Sequence, residues 1–132
     1  MNEHGASEER RRHPRINERL PFILKAEGFD AVTETINLSC LGAYCQLDKR
    51  IPLMTHLEIT LALPRGDKKK DFMYVVCEGV VVRVEEGGSQ LHRGSVYNTA
   101  IYFNEIDESD REKIVRSVEH RKGQPNNSHL PS

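Results

Sequence analysis

Four guanidiniums crowd into six positions of this chain, Arg10-Arg11-Arg12-His13-Pro14-Arg15, although its formal net charge at pH 7 is only −1. Each guanidinium presents a planar fork of donors that pairs with phosphate oxygens or with the O6/N7 edge of guanine. Positive charge this local, in a chain this near neutral, points to a specific anionic ligand rather than a broad nucleic-acid surface. Glu8 and Glu9 stand beside it, and they leave a solubilising tail as the bland alternative. A second polar cluster follows in Asn37-Leu38-Ser39-Cys40-Leu41-Gly42. Asn37 and Ser39 are short donors and acceptors two positions apart, so in an extended chain their side chains share a face. Gly42 permits tight backbone geometry or close approach of a partner. Alone, an Asn-Ser-Gly stretch is an ordinary turn; beside the arginines it supplies a second half to a binding site.

Catalysis finds less support. Hydrolase or transferase chemistry needs a nucleophile with its base, or paired carboxylates in a cleft. His4 and His129 lie in polar ends, His120 near a helix terminus, and His56 and His92 at strand margins. Gly87-Gly88 is followed by neither a lysine-threonine pair nor a helix start, so phosphate-cradling glycine loops are missing. Cys40 and Cys45 form one possible metal-ligand spacing, but no second pair follows and Cys77 stands apart. Three cysteines in apolar surroundings read as buried thiols of a reducing compartment. No metal, no cofactor and no enzymatic activity are expected.

These residues need elements to hold them. Leu20 to Ala26 is a strand candidate with Pro21 near its start, where a missing amide does least harm. Gly28-Phe29-Asp30 reads as a turn, and Ala31 to Ile36 as a half-buried strand rich in β-branched residues. Ala43 to Leu47 resumes a short strand. From His56, Leu57, Ile59, Leu61 and Leu63 occupy one face at period two. Pro64 to Asp71, with Lys68, Lys69 and Lys70, is a loop read as a solvated hairpin tip. Phe72 to Val84 is the longest β-rich segment, and Gly79 within it signals a bulge or bend. A return strand falls within Leu91 to Phe103, most securely at Thr99 to Phe103. The last element is a helix over about 108–121, begun either by Ser109-x-x-Glu112 as a capping box or by Asp107 two residues earlier. Its apolar stripe of Ile114, Val115 and Val118 is narrow, so it caps other structure or packs on a partner.

The sum is an all-β chain of about six antiparallel strands with one C-terminal α-helix. Strands with so little helix to cover them close into a small barrel, which also removes exposed edges. At 132 residues, 37% hydrophobic and 30% charged, the chain has room for one domain and one modest core. Residues 1–9 read as a flexible start, 10–121 as the domain with its arginine arm, and 122–132 as a flexible tail. No apolar run approaches the roughly 20 residues of a membrane span, and the polar N-terminus lacks a signal-peptide core; the expected location is the cytoplasm. The near-neutral charge and tyrosines placed in strand patterns disfavour RNA or DNA binding.

The two clusters together resemble the PilZ domain, the bacterial receptor module for cyclic di-GMP. Its signatures RxxxR and [D/N]xSxxG stand here as Arg11-Arg12-His13-Pro14-Arg15 and Asn37-Leu38-Ser39-Cys40-Leu41-Gly42, in the family's order and at a typical separation. The resemblance covers about residues 8 to 121. It implies a six-stranded antiparallel β-barrel with the arginine segment as an arm that wraps over the nucleotide. Arg11 and Arg15 would hold phosphate oxygens and guanine edges, Asn37 and Ser39 the other guanine from the barrel side, with Gly42 allowing the tight loop and Arg12 auxiliary or facing solvent. An arginine directly ahead of RxxxR is associated in the family with an intercalated dimer of the ligand, and Arg10 has that place. The resemblance also implies a change of conformation on binding, signalled to an effector protein; the rival is a PilZ-like interaction module that does not bind nucleotide. One departure is visible. The last strand of the family commonly carries a glycine before a Val-x-Phe ending, and Tyr97-Asn98-Thr99-Ala100-Ile101-Tyr102-Phe103 lacks it, which would reshape one side of the site.

Overall fold

The structure is a computed structural model that describes residues 13–65, 71–87 and 95–122. Six strands and a helix follow in order: β1 (Pro21–Ala26), β2 (Phe29–Ser39), β3 (Gly42–Leu47), β4 (His56–Pro64), β5 (Phe72–Gly87), β6 (Val96–Glu105) and α1 (Glu108–Lys122). The strands close a barrel in the order β1-β2-β3-β6-β5-β4, every pair antiparallel. Two three-stranded meanders therefore meet along the β1–β4 and β3–β6 seams. The all-β barrel with one C-terminal helix expected from the sequence is the observed architecture.

Period-two alternation fills the interior. Leu57, Ile59, Leu61 and Leu63 of β4 are buried, facing Phe22 and Leu24 of β1 and Ile101 and Phe103 of β6 within one core cluster. Each fully buried side chain of this size contributes roughly 1.5–3 kcal/mol. α1 lays Ile114 and Val118 into the same cluster, so its narrow stripe is used against the barrel. Its first backbone bond runs from Arg111 N to Asp107 O at 2.9 Å, which selects Asp107 rather than Ser109 as the residue that starts it. Acidic Glu108 and Asp110 in the first turn and His120, Arg121 and Lys122 in the last complement the helix dipole.

The strand limits differ from the sequence reading in three places. The first hairpin turns at Glu27-Gly28, since Ala26 pairs with Phe29 and Gly28 takes φ 76°, so Phe29 and Asp30 belong to β2. β2 continues through Asn37 to Ser39, and β5 reaches Gly87 instead of stopping at Val84. The register shifts between Glu78 and Gly79, where the extra residue is Asn104 of β6 opposite the glycine, and again between Val81 and Arg83, where it is Val82 of β5. The loop lysines 68–70, residues 88–94 and both chain ends lie outside the described residues. Among the described residues no helix is long and apolar enough to cross a membrane.

Candidate ligand-binding site

Two irregularities place the polar cluster. β2 shifts register against β3 between Thr35 and Asn37, so Ile36 is an extra residue and the alternation inverts there. Thr35 is fully buried before the bulge and Leu38 fully buried after it, which puts Asn37 on the side away from the core, while Ser39 next to the turn is itself buried. The bulge also leaves β2 free to take up the incoming chain. Ile16 bridges Leu38 through Ile16 N to Leu38 O at 3.0 Å and Leu38 N to Ile16 O at 2.9 Å. Thr35 then anchors the rest of the arm: its Oγ1 accepts from Leu20 N at 3.0 Å and donates to Glu18 O at 2.7 Å.

With Ile16 clamped to Leu38, the neighbouring side chains are adjacent. Arg15 Nη1 donates to Asn37 Oδ1 at 2.6 Å, and Asn37 Nδ2 donates to Asn17 Oδ1 at 2.7 Å. The two sequence clusters thus meet in space through Arg15 and Asn37. Arg10, Arg11 and Arg12 lie outside the described residues.

Ser39 and Gly42 have different work. Ser39 is fully buried and its Oγ accepts the Leu41 N–H at 3.0 Å, which fixes the turn between β2 and β3. Neither Cys40 nor Leu41 takes a positive φ, so the side-chain bond stands in for the glycine such hairpins usually use. Gly42 is not a left-handed residue either. A Cβ there would run into the Ile101 carbonyl oxygen of β6. The residues leave two roles open to Gly42, tight backbone geometry and close approach, and the resemblance implies the first; the structure shows the second, the close approach of β3 and β6. Around the turn, Phe103 N donates to Leu41 O at 2.9 Å and Arg111 Nη1 to Cys40 O at 3.2 Å.

Across the outer surface the register sets Asn37 against Tyr44, Tyr44 against Ala100, and Ala100 against Arg83. Arg83 Nη1 reaches Tyr44 Oη at 3.4 Å and its Nη2 donates to Glu85 Oε2 at 2.9 Å. Ala100 stands in the segment that lacks the expected glycine, and its methyl is small enough for both side chains to pass over. One further contact joins the arm to the helix. Glu18 receives Arg121 through a two-pronged pair, Nε to Oε1 at 2.7 Å and Nη2 to Oε2 at 2.5 Å, the geometry of strong carboxylate recognition. Arg83, Tyr44, Glu18 and Arg121 were not singled out by spacing. Simple alternation from inward Val81 would send Arg83 into the core, and only the second bulge turns it out.

Cys40, Cys45 and Cys77 are free and buried. Burial pushes the Cys45 thiol up to about 12. The Cys77 thiol is likewise pushed up to about 12, by burial first and then by Asp110. Among the described residues no group of three or more His, Cys, Asp or Glu side chains could hold a metal ion.

Comparison with known proteins agrees with this architecture. The inhibitor of motility MotI/DgrA from Bacillus subtilis superposes with a TM-score of 0.68 at 17% identity, covering 83% of this chain and 50% of that one. The PilZ domain of YcgR from Escherichia coli, solved with c-di-GMP, gives 0.58 at 13% identity over 86% of this chain and 94% of that one. The PlzA protein of Borreliella burgdorferi, in complex with c-di-GMP, gives 0.57 at 11% over 99% and 58%. The chain thus spans about half the length of MotI/DgrA. No curated protein matches it by sequence. The model of the PilZ domain matches residues 9–120, from the arginine arm to the last turns of the helix, and the chain belongs to the PilZ domain family.

Proposed function

We propose that this protein is a cytoplasmic receptor for cyclic di-GMP that reorganises its arginine arm on binding and passes the change to an effector protein. The observation that carries the reading is the Arg15–Asn37 hydrogen bond at 2.6 Å. It brings one residue of each motif to the same point on the barrel's outer surface, where a fork of donors and a carboxamide face solvent together. Arg11 and Arg15 bind phosphate oxygens and guanine O6/N7 edges; Asn37 reads the second guanine from the barrel. Arg10 supports an intercalated ligand dimer, and Arg12 is auxiliary. Ser39 and Gly42 hold the turn and the β3–β6 seam that keep Asn37 in place.

The Arg15–Asn37 contact supplies the switch. The Arg15–Asn37 bond uses one of the guanidinium's five N–H donors, and a nucleotide that takes the fork and the carboxamide together exchanges that bond for its own. The exchange loosens the arm near Ile16, and Glu18, two residues on, grips Arg121 of α1. A reorganised arm therefore reaches the helix, a surface an effector can sense. Buried free thiols fit a reducing compartment. Calorimetric titration with cyclic di-GMP tests the reading. Saturable binding to the wild-type protein is expected, with a stoichiometry near two ligands per chain for the dimer; no binding would leave the nucleotide-free interaction module instead.

A further inference from the structure

Arg83 carries the strongest unassigned chemistry on the barrel's outer surface. It lies on β5, three strands from Asn37, yet the register places it in one transverse row with Asn37, Tyr44 and Ala100. β2 and β5 lie on opposite sides of the closed barrel, but the Arg83 guanidinium crosses β6 to Tyr44 of β3, one strand spacing of about 4.8 Å from Asn37's strand, within reach of one molecule carrying two bases. We infer that Arg83 is a specificity-determining residue of the same site, reading the O6/N7 edge of one guanine from the β5 side while the arginine arm holds the other end of the ligand. This rests on the cyclic di-GMP reading above and adds a residue that neither motif contains.

The local geometry prepares it for the role. The bulge between Val81 and Arg83 turns the side chain outward. Ala100 offers only a methyl, so the guanidinium lies over β6 toward Tyr44, within 3.4 Å of its hydroxyl. Glu85 takes Nη2 at 2.9 Å and fixes the plane. A guanidinium carries five N–H donors, more than these two contacts use, and the Arg83 side chain is 57% exposed. Tyr44 and Glu85 are positioning residues in this arrangement. A base docked beside the Arg83–Tyr44 pair would meet the guanidinium's unused donors together with the tyrosine next to them. A planar fork pairs with both acceptors of a guanine edge, whereas an ammonium acts as a point charge.

That difference supplies the test. Wild type, Arg83→Ala and Arg83→Lys are titrated with cyclic di-GMP by calorimetry, with thermal unfolding measured on each. Both variants should unfold like wild type, because Arg83 is exposed and its ion pair with Glu85 is a surface one. Both should bind at least about tenfold more weakly, since a bidentate base contact is lost in each. Wild-type affinity in Arg83→Ala overturns the inference and leaves the receptor reading intact. Full recovery in Arg83→Lys also overturns it, because a bare charge would then suffice. Failure of wild type to bind overturns the receptor reading itself.

Discussion

The hydrogen bond from Arg15 to Asn37 joins residues 22 positions apart, and it depends on neighbours with no polar chemistry of their own. Ile16 is 8% exposed and Leu38 fully buried; their mutual backbone bonds set where the polar side chains start. Gly42 is the least replaceable residue nearby, because the obstacle to a Cβ is backbone rather than a movable side chain. Gly42→Ala should lower stability by about 1–3 kcal/mol in denaturant titration; an unchanged midpoint would mean that β3 and β6 can separate freely. The thiols make a pH prediction. Cys45 ordinarily ionises near 9.0 and is pushed up to about 12 in the fold. Between those values the unfolded chain releases a proton that the folded chain keeps, so stability falls as pH rises through that window. Thermal unfolding should show a melting temperature dropping above about pH 9 and dropping less steeply in Cys45→Ala; identical slopes would contradict the burial of this thiol.

At the scale of elements, the arm and β2 form one unit through Thr35. Its hydroxyl serves Leu20 N and Glu18 O at once. Thr35→Val keeps the shape but orphans a buried amide, which costs about 1–3 kcal/mol, and it should also weaken ligand binding by freeing the arm. A variant that loses stability but keeps affinity would separate the arm from the site. The strands themselves were legible in the sequence because β4 and β5 keep long period-two stretches. The motif residues were legible as a pair on one face, but the face was not, because the bulge at Ile36 inverts the alternation. The same device hid Arg83, and no glycine or proline marks the extra residues Ile36 and Val82. The sequence reading shares Gly28 with the observed turn at Glu27-Gly28 but carries it on through Phe29 and Asp30, which continue a polar-apolar pattern that fits turn or strand equally.

At the scale of the whole molecule, barrel closure brings the arm, the β2–β3 turn, the end of β6 and the C-terminal helix into contact. The β2–β3 turn is held by Phe103 of β6 and Arg111 of α1, and the arm is tied to α1 by Glu18 and Arg121. Contacts of this span are set by topology, so spacing in the sequence could indicate the barrel and the helix but not the clamp between arm and helix. The clamp gives the receptor reading a path from ligand to surface. The claim at its centre is that the two motifs form one nucleotide site, and cyclic di-GMP titration of wild type beside Arg11→Ala and Arg15→Ala tests it most directly. The account predicts saturable wild-type binding and a loss of about 10- to 100-fold in each variant, with far-UV circular dichroism unchanged. Equal affinity in all three proteins, or no binding by the wild type, would contradict it.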